Sequence, residues 1–481
     1  MRRPASVRTC LLAAAVACAA APPVPAAEIT EMPDSTATDR TAVSVTVYNV
    51  GLGLVRETRV LRDVPHGVAA LRFMDVPSRI SPRTVHLASL DDPGGLVVLE
   101  QNYEYDLISP QKLMEKYVGR EVEIVEQAED LTTRSVRATL LSVNGGPVYR
   151  IGDRIVLNQT GKVTLPDVPP DLVPRPTLVW TIRNERAREH RVEASYLTDG
   201  MTWSADYVAV IAEDDASLGL TGWVTIDNRS GATFRDATLK LVAGDVRRVS
   251  ARGVPMEESV ATDRMRKAAA PQFAEESFFE YHLYTLARPT TVKDNQTKQI
   301  SLLQAERVPV SKTLLIRGQP WWFRNQRGTL TRDQKAEVVL RFDNTKKAGL
   351  GIPLPKGTIR VYKKDRSGAE QFVGEDAIDH TPRDETIRLH VGDAFDVVAS
   401  QTQTDYDALS PRMSESAYEV VIRNHKDEAV TVTVREPVGG DWTLISASHE
   451  GRKRDAGTLE FEIPVPANGQ ATLTYRVRVR W

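Results

Sequence analysis

From residue 43 onward the chain alternates apolar and polar residues in short runs. The first is Val43-Ser44-Val45-Thr46-Val47-Tyr48, and the last spans Ala471 to Val479. Period-two alternation is what a strand with one buried and one wet face requires. Four runs end in Asn: Thr181-Ile182-Arg183-Asn184, Thr225-Ile226-Asp227-Asn228, Arg341-Phe342-Asp343-Asn344 and Val421-Ile422-Arg423-Asn424. Each leads into a polar or Gly-bearing turn. Two copies extend further, from Asn184 to Gly200 and Trp203, and from Asn424 to Gly440 and Trp442. Asn tolerates left-handed backbone, so these positions are predicted to turn the chain back. The fold class expected is all-β: several Ig-like β-sandwich modules in tandem, plus a small SH3-like or Sm-like barrel with one short helix.

Turn signals and composition divide the chain into segments. Residues 42–105 read as an N-terminal β domain, with strands separated by Asn49, Gly51 and Pro65-His66-Gly67. Residues 107–168 read as the small barrel. Ser109 caps a helix that Pro110 opens and Gly119 ends, and five short strands follow. A Pro-rich linker (Pro166, Pro169, Pro170, Pro174, Pro176) precedes a central β-sandwich region, 177–400, in which Trp180, Trp203 and Trp223 are expected core anchors. Near 251–277 the alternation collapses into a polar, Ala-rich stretch expected to be disordered. Residues 416–481 read as a C-terminal Ig-like sandwich.

The first 27 residues have the pattern of an export signal. Arg2, Arg3 and Arg8 precede the apolar run Leu11 to Ala21, and small residues follow at Val24-Pro25-Ala26-Ala27. An exported chain, periplasmic or in the outer envelope of a bacterium, is therefore expected. Ala15-Val16-Ala17-Cys18 loosely fits a lipobox, and cleavage there would instead leave a lipid anchor at Cys18. Both cysteines, Cys10 and Cys18, lie in this segment, so the mature chain offers no disulfide or thiolate ligand. No later run reaches the eighteen apolar residues of a transmembrane helix. With 62 basic and 64 acidic residues interspersed, the chain has no bulk positive field for nucleic acid.

Three stretches carry a family resemblance: Tyr196-Leu197-Thr198-Asp199-Gly200-Met201-Thr202-Trp203, Gly222 to Asp245, and Tyr281-His282-Leu283-Tyr284. With the chain end Tyr475-Arg476-Val477-Arg478-Val479, they resemble the exported bacterial proteins of domain of unknown function 4139 over roughly residues 178–481. The likeness to mucoidy inhibitor A is more distant, because its long coiled coil is missing here. The resemblance implies export and β architecture, and it brings no catalytic residues.

Chemistry is sparse. No HExxH, GxSxG, Walker or dinucleotide-binding motif occurs, and the eight histidines lack metal-ligand spacing, so no catalytic residue, metal or cofactor is assigned. The acidic clusters Glu213-Asp214-Asp215 and Asp405-Tyr406-Asp407 lack a calcium-loop register. The sharpest candidate is Pro320-Trp321-Trp322-Phe323 with Arg317, Arg324 and Arg327 nearby. Adjacent aromatics on a strand point to opposite faces, so one of Trp321 and Trp322 is expected to be exposed beside Arg324 as a binding surface. The C-terminal strand, with Arg476, Arg478 and Arg480 on one face, is expected to protect a sheet edge. The function expected is a non-catalytic envelope scaffold or binding protein for protein or polysaccharide partners. The alternative is a hydrolase of a cell-wall glycan or peptide.

Overall fold

The computed structural model describes residues 29–104, 106–127, 133–157, 159–169, 172–186, 188–244, 246 and 272–481. The expected signal segment with Cys18 lies outside these, as does the expected disordered stretch up to residue 271. Among the described residues the chain is β throughout, with one α-helix, Pro110–Lys116, and short 3-10 turns. No helix among the described residues is long and apolar enough to cross a membrane.

Two β-sandwiches share one layer. An eight-stranded sheet holds Arg40–Tyr48, Leu52–Leu61 and His190–Asp199 towards one end, and Phe234–Ala243, Phe273–Phe278 and Tyr281–Leu286 towards the other. Its first part faces a four-stranded sheet containing Gly67–Met74 and Thr177–Asn184, where Phe73 and Trp180 meet edge to face at 5.1 Å. Its second part faces a five-stranded sheet containing Met201–Ile211 and Ser217–Asn228. Here the Trp203 indole donates to the Val242 carbonyl at 3.2 Å. One apolar cluster runs through both, from Met32 to Leu389.

Pairing redraws the expected boundaries. Residues 42–105 do not stand apart, because Gly67–Met74 and Leu52–Leu61 take Thr177–Asn184 and His190–Asp199 as neighbours. Long-range pairing left no local signal to show this. Likewise the C-terminal unit begins well before residue 416. Its nine-stranded sheet includes Ser311–Arg317, Thr329–Asp343 and Thr386–Ser410, and folds over a core running from Leu314 to Val479. Thr329–Asp343 and Thr386–Ser410 pair antiparallel and serve both cores: Phe342 and Leu389 enter the first, Ala336 and Val397 the second. The strand Gly469–Arg480 is flanked on both sides, so its arginines do not guard an edge. Arg476 and Arg478 instead pair with Glu415 on the adjacent strand.

Residues 121–164 form an open five-stranded sheet whose last strand, Lys162–Thr164, returns beside the first, Glu121–Gln127. The outer strands do not pair, so the expected barrel is unclosed. The helix starts as predicted, with Ser109 Oγ accepting from the Lys112 amide at 3.1 Å. Phe273–Phe278, inside the stretch expected to be disordered, is a strand paired with Tyr281–Leu286. Only Phe273 of this strand is buried, so no period-two pattern marks it. Trp223 is not a core anchor: it is 38% exposed on the outer face of its strand, while Val224 fills the core.

The four asparagines recur structurally, for a different reason than expected. None has a positive φ. Each carboxamide is buried at a strand end and ties two loops together. Asn424 donates from Nδ2 to the Glu428 and Pro466 carbonyls at 2.8 and 3.0 Å, while its Oδ1 accepts from the Lys426 amide. Asn228 does the same with Ala232, Lys293 and Ser230. Asn344 joins the Ile352 and Pro382 carbonyls and takes the Gly351 amide. Asn184 joins Val64 and Pro65 and takes Arg186. Only a carboxamide supplies two donors and an acceptor in this space. The left-handed positions are the glycines downstream: Gly200 (φ 84°) and Gly440 (φ 77°), each with no room for a Cβ beside a backbone carbonyl.

Candidate binding site

The segment between Ser311–Arg317 and Thr329–Asp343 holds the Trp-Trp pair. The expectation of a strand there is corrected: Pro320–Arg324 is a 3-10 turn. Pro320 supplies the fixed φ that suits its first position, and the tighter winding spreads consecutive side chains around the axis. Trp321 is 53% exposed, whereas Trp322 and Phe323 are buried. Phe323 packs 5.0 Å from the Tyr418 ring.

Side chains beneath the turn, all but Tyr406 buried, capture its backbone. Tyr418 donates to the Trp322 carbonyl at 3.1 Å, and Gln403 Nε2 reaches the Trp322 and Asn325 carbonyls at 3.3 and 3.2 Å. Ser414 donates to the Phe323 carbonyl and Tyr406 to that of Arg324. Gln403 Oε1 accepts from the Arg327 amide at 2.5 Å. Burial pushes the Tyr418 hydroxyl up to about 12, which keeps it a donor at physiological pH. Four successive carbonyls are thus held by side chains on Thr386–Ser410 and Met413–Asn424, so the turn is fixed before any ligand arrives.

Above the turn lies an open pocket of about 580 Å³, lined by Gln319, Trp321, Trp322, Gln326, Arg327, Gly328 and residues 329–331. That volume falls within the ~300–1,000 Å³ typical of ligand pockets. The three flanking arginines have different fates. Arg317 pairs with Glu337 at 2.7 Å. Arg324 lies over the Trp481 ring, 4.7 Å from its centroid, so of the expected binding residues only Trp321 and Trp322 line the pocket. Arg327 lines it too. Gln319, Gln326 and the buried Gln403 were missed in the sequence. The one signal, for Gln403 alone, is that Gln401 and Gln403 stand in register with Val397 and Ala399, on the inward phase of their strand.

A second, smaller pocket of about 230 Å³ is lined by Arg317, Gly318, Arg435, Pro437, Arg454 and Thr458. Glu436 is sealed in the core, with both carboxylate oxygens unpartnered and Oε2 packed against Gly318. Burial pushes its carboxyl up to about 7. The Tyr475 hydroxyl, itself buried, is near enough to ease that shift yet makes no hydrogen bond.

Elsewhere, Ser89 Oγ, the His190 ring and Asn184 Oδ1 form a chain with links of 3.0 and 3.1 Å. All three are buried, and none lines either pocket, so the chain orders the strand ends. Asp215 is held between Lys312 and Lys363, and Asp405 pairs with Arg476, so one carboxylate of each acidic cluster is met by the protein's own cations. Among the described residues no group of three His, Cys, Asp or Glu gathers as a metal site. Compared with known proteins, the chain matches no family model and no curated protein.

Proposed function

We propose that this chain is an exported bacterial envelope protein that binds polysaccharide at the Trp321 pocket and uses its remaining β layers as scaffold. The carrying observation is a half-exposed indole on a turn whose backbone is fixed from beneath, at the wall of a pocket of ligand size. One face of a pyranose ring presents C–H groups that stack on an electron-rich indole, while its hydroxyls need the amide and hydroxyl partners that Gln319, Gln326 and Thr329 offer. Such a site gains from rigidity, because a ligand then orders little on binding. The leader-like N-terminus and the resemblance to domain of unknown function 4139 support export. The hydrolase alternative draws no support from this geometry, since neither pocket is lined by a carboxylate or an imidazole. Affinity electrophoresis of the full chain through gels containing envelope polysaccharides tests the proposal. Retardation that Trp321→Ala abolishes supports it, and unretarded migration in every gel contradicts it.

A further inference from the structure

Resting on that reading of the Trp321 pocket, we infer that its occupant is an acidic saccharide, a pyranose bearing a carboxylate, which Arg327 recognises. Of the three arginines that flank the turn, Arg317 is neutralised by Glu337 and Arg324 is spent on the Trp481 face. Arg327 alone of the three lines the pocket, and among the described residues its guanidinium has no ion pair or hydrogen bond. Its backbone, by contrast, is fixed, because the Arg327 amide donates to the buried Gln403 and the next carbonyl, Gly328, accepts from the Gln403 amide at 3.0 Å. The base of the side chain is therefore held while its charged end is left for a ligand.

The lining carries no opposing charge: none of its nine residues is Asp or Glu. Asp333, two residues beyond the lining, is engaged by Arg423. A guanidinium takes a carboxylate with two parallel N–H donors, which fixes orientation as well as adding attraction. Trp321, on the wall of the same pocket, supplies a stacking face, so the ring and its carboxylate are met by two groups of one short segment. A neutral sugar would use the indole and the glutamines and leave the cation idle. Uronic acids and the lactyl ether of muramic acid both carry this chemistry.

The test is titration calorimetry of the full mature chain with three probes: oligogalacturonate, hyaluronan oligosaccharides and soluble muramic-acid-containing glycan strands. Each is run beside its carboxyl-reduced counterpart. The expected result is that at least one acidic probe binds roughly tenfold more tightly than its reduced form. Arg327→Gln, an exposed substitution checked for an unchanged melting temperature, should erase that difference while retaining the weaker neutral binding. The probe that responds separates uronate from lactyl carboxylate. Equal binding of acidic and reduced forms, lost in Trp321→Ala, would overturn the acidic assignment and leave saccharide binding standing. A preference that persists in Arg327→Gln would also overturn it. No binding by any probe would overturn both.

Discussion

The Tyr418 hydroxyl donates a 3.1 Å hydrogen bond to the main-chain carbonyl of Trp322, from the floor of the C-terminal core to the turn that carries the exposed indole of Trp321. Core and site are therefore one construction. Tyr418→Phe removes that donor and leaves Gln403 as the remaining partner of the carbonyl, so the cost should be modest, about 1 kcal/mol by urea unfolding. Gln403→Leu strips both amide contacts and the Arg327 anchor, and about 2–3 kcal/mol is expected. In both variants amide exchange should accelerate in residues 322–328 before it does in the neighbouring strands.

The asparagine clamp can be separated from a left-handed turn by one substitution. Glycine is the best residue for positive φ, so Asn424→Gly would be harmless if backbone conformation were the reason for Asn. Because Asn424 instead satisfies the Glu428 and Pro466 carbonyls, Asn424→Gly and Asn424→Ala should each cost about 2–3 kcal/mol in chemical denaturation. Asn228→Ala should behave alike.

Glu436 sets a pH dependence whose sign follows from its environment. Its carboxyl titrates near 7 in the folded chain and near its ordinary value of 4.5 when unfolded. Its contribution to stability is therefore fully present below about pH 4.5 and is lost as pH rises through 7, a swing of about 3 kcal/mol. Glu436→Gln should flatten that slope, raising the melting temperature at pH 8 with little change at pH 4.5. A wild-type stability unchanged between pH 5 and 8 would refute the assignment.

In the first sandwich Glu57 and Arg59 are both wholly buried. Glu57 accepts from Arg59, Arg40 and Tyr196, while Arg59 also donates to the Ser35 and Met74 carbonyls and lies 3.5 Å over the Phe73 ring. Arg59→Met leaves Glu57 with one cation fewer and takes a donor from each of the Ser35 and Met74 carbonyls, of which Ser35 keeps the Met74 amide, so a loss of about 3–5 kcal/mol is expected. Adding Glu57→Gln should restore part of it, which a double-mutant cycle would measure.

Much of the fold was legible because alternation reports burial directly. Val43 to Tyr48 and Ala471 to Val479 are strands in the phase their apolar residues predict. The positions of the four asparagines were legible too, but their role was not, because the carbonyls they join come from loops up to 120 residues away. Partnering was hidden for the same reason: nothing near Thr177 announces Gly67–Met74 as its neighbour. The site was half visible. Trp321 stood out as an aromatic beside arginines, whereas Gln401, Gln403, Ser414 and Ser416 were not singled out, because a polar side chain does not by itself announce burial. Their burial follows from the turn they hold.

The most direct measurement is fluorine NMR on the full mature chain labelled with 5-fluorotryptophan, the resonances assigned by single Trp→Phe substitutions and followed during titration with the tightest-binding oligosaccharide. Saccharide binding at the turn predicts that the Trp321 resonance shifts saturably while that of Trp223, the exposed indole on the central sheet, stays in place. A saturating titration in which Trp321 does not move, or in which Trp223 moves instead, would contradict it.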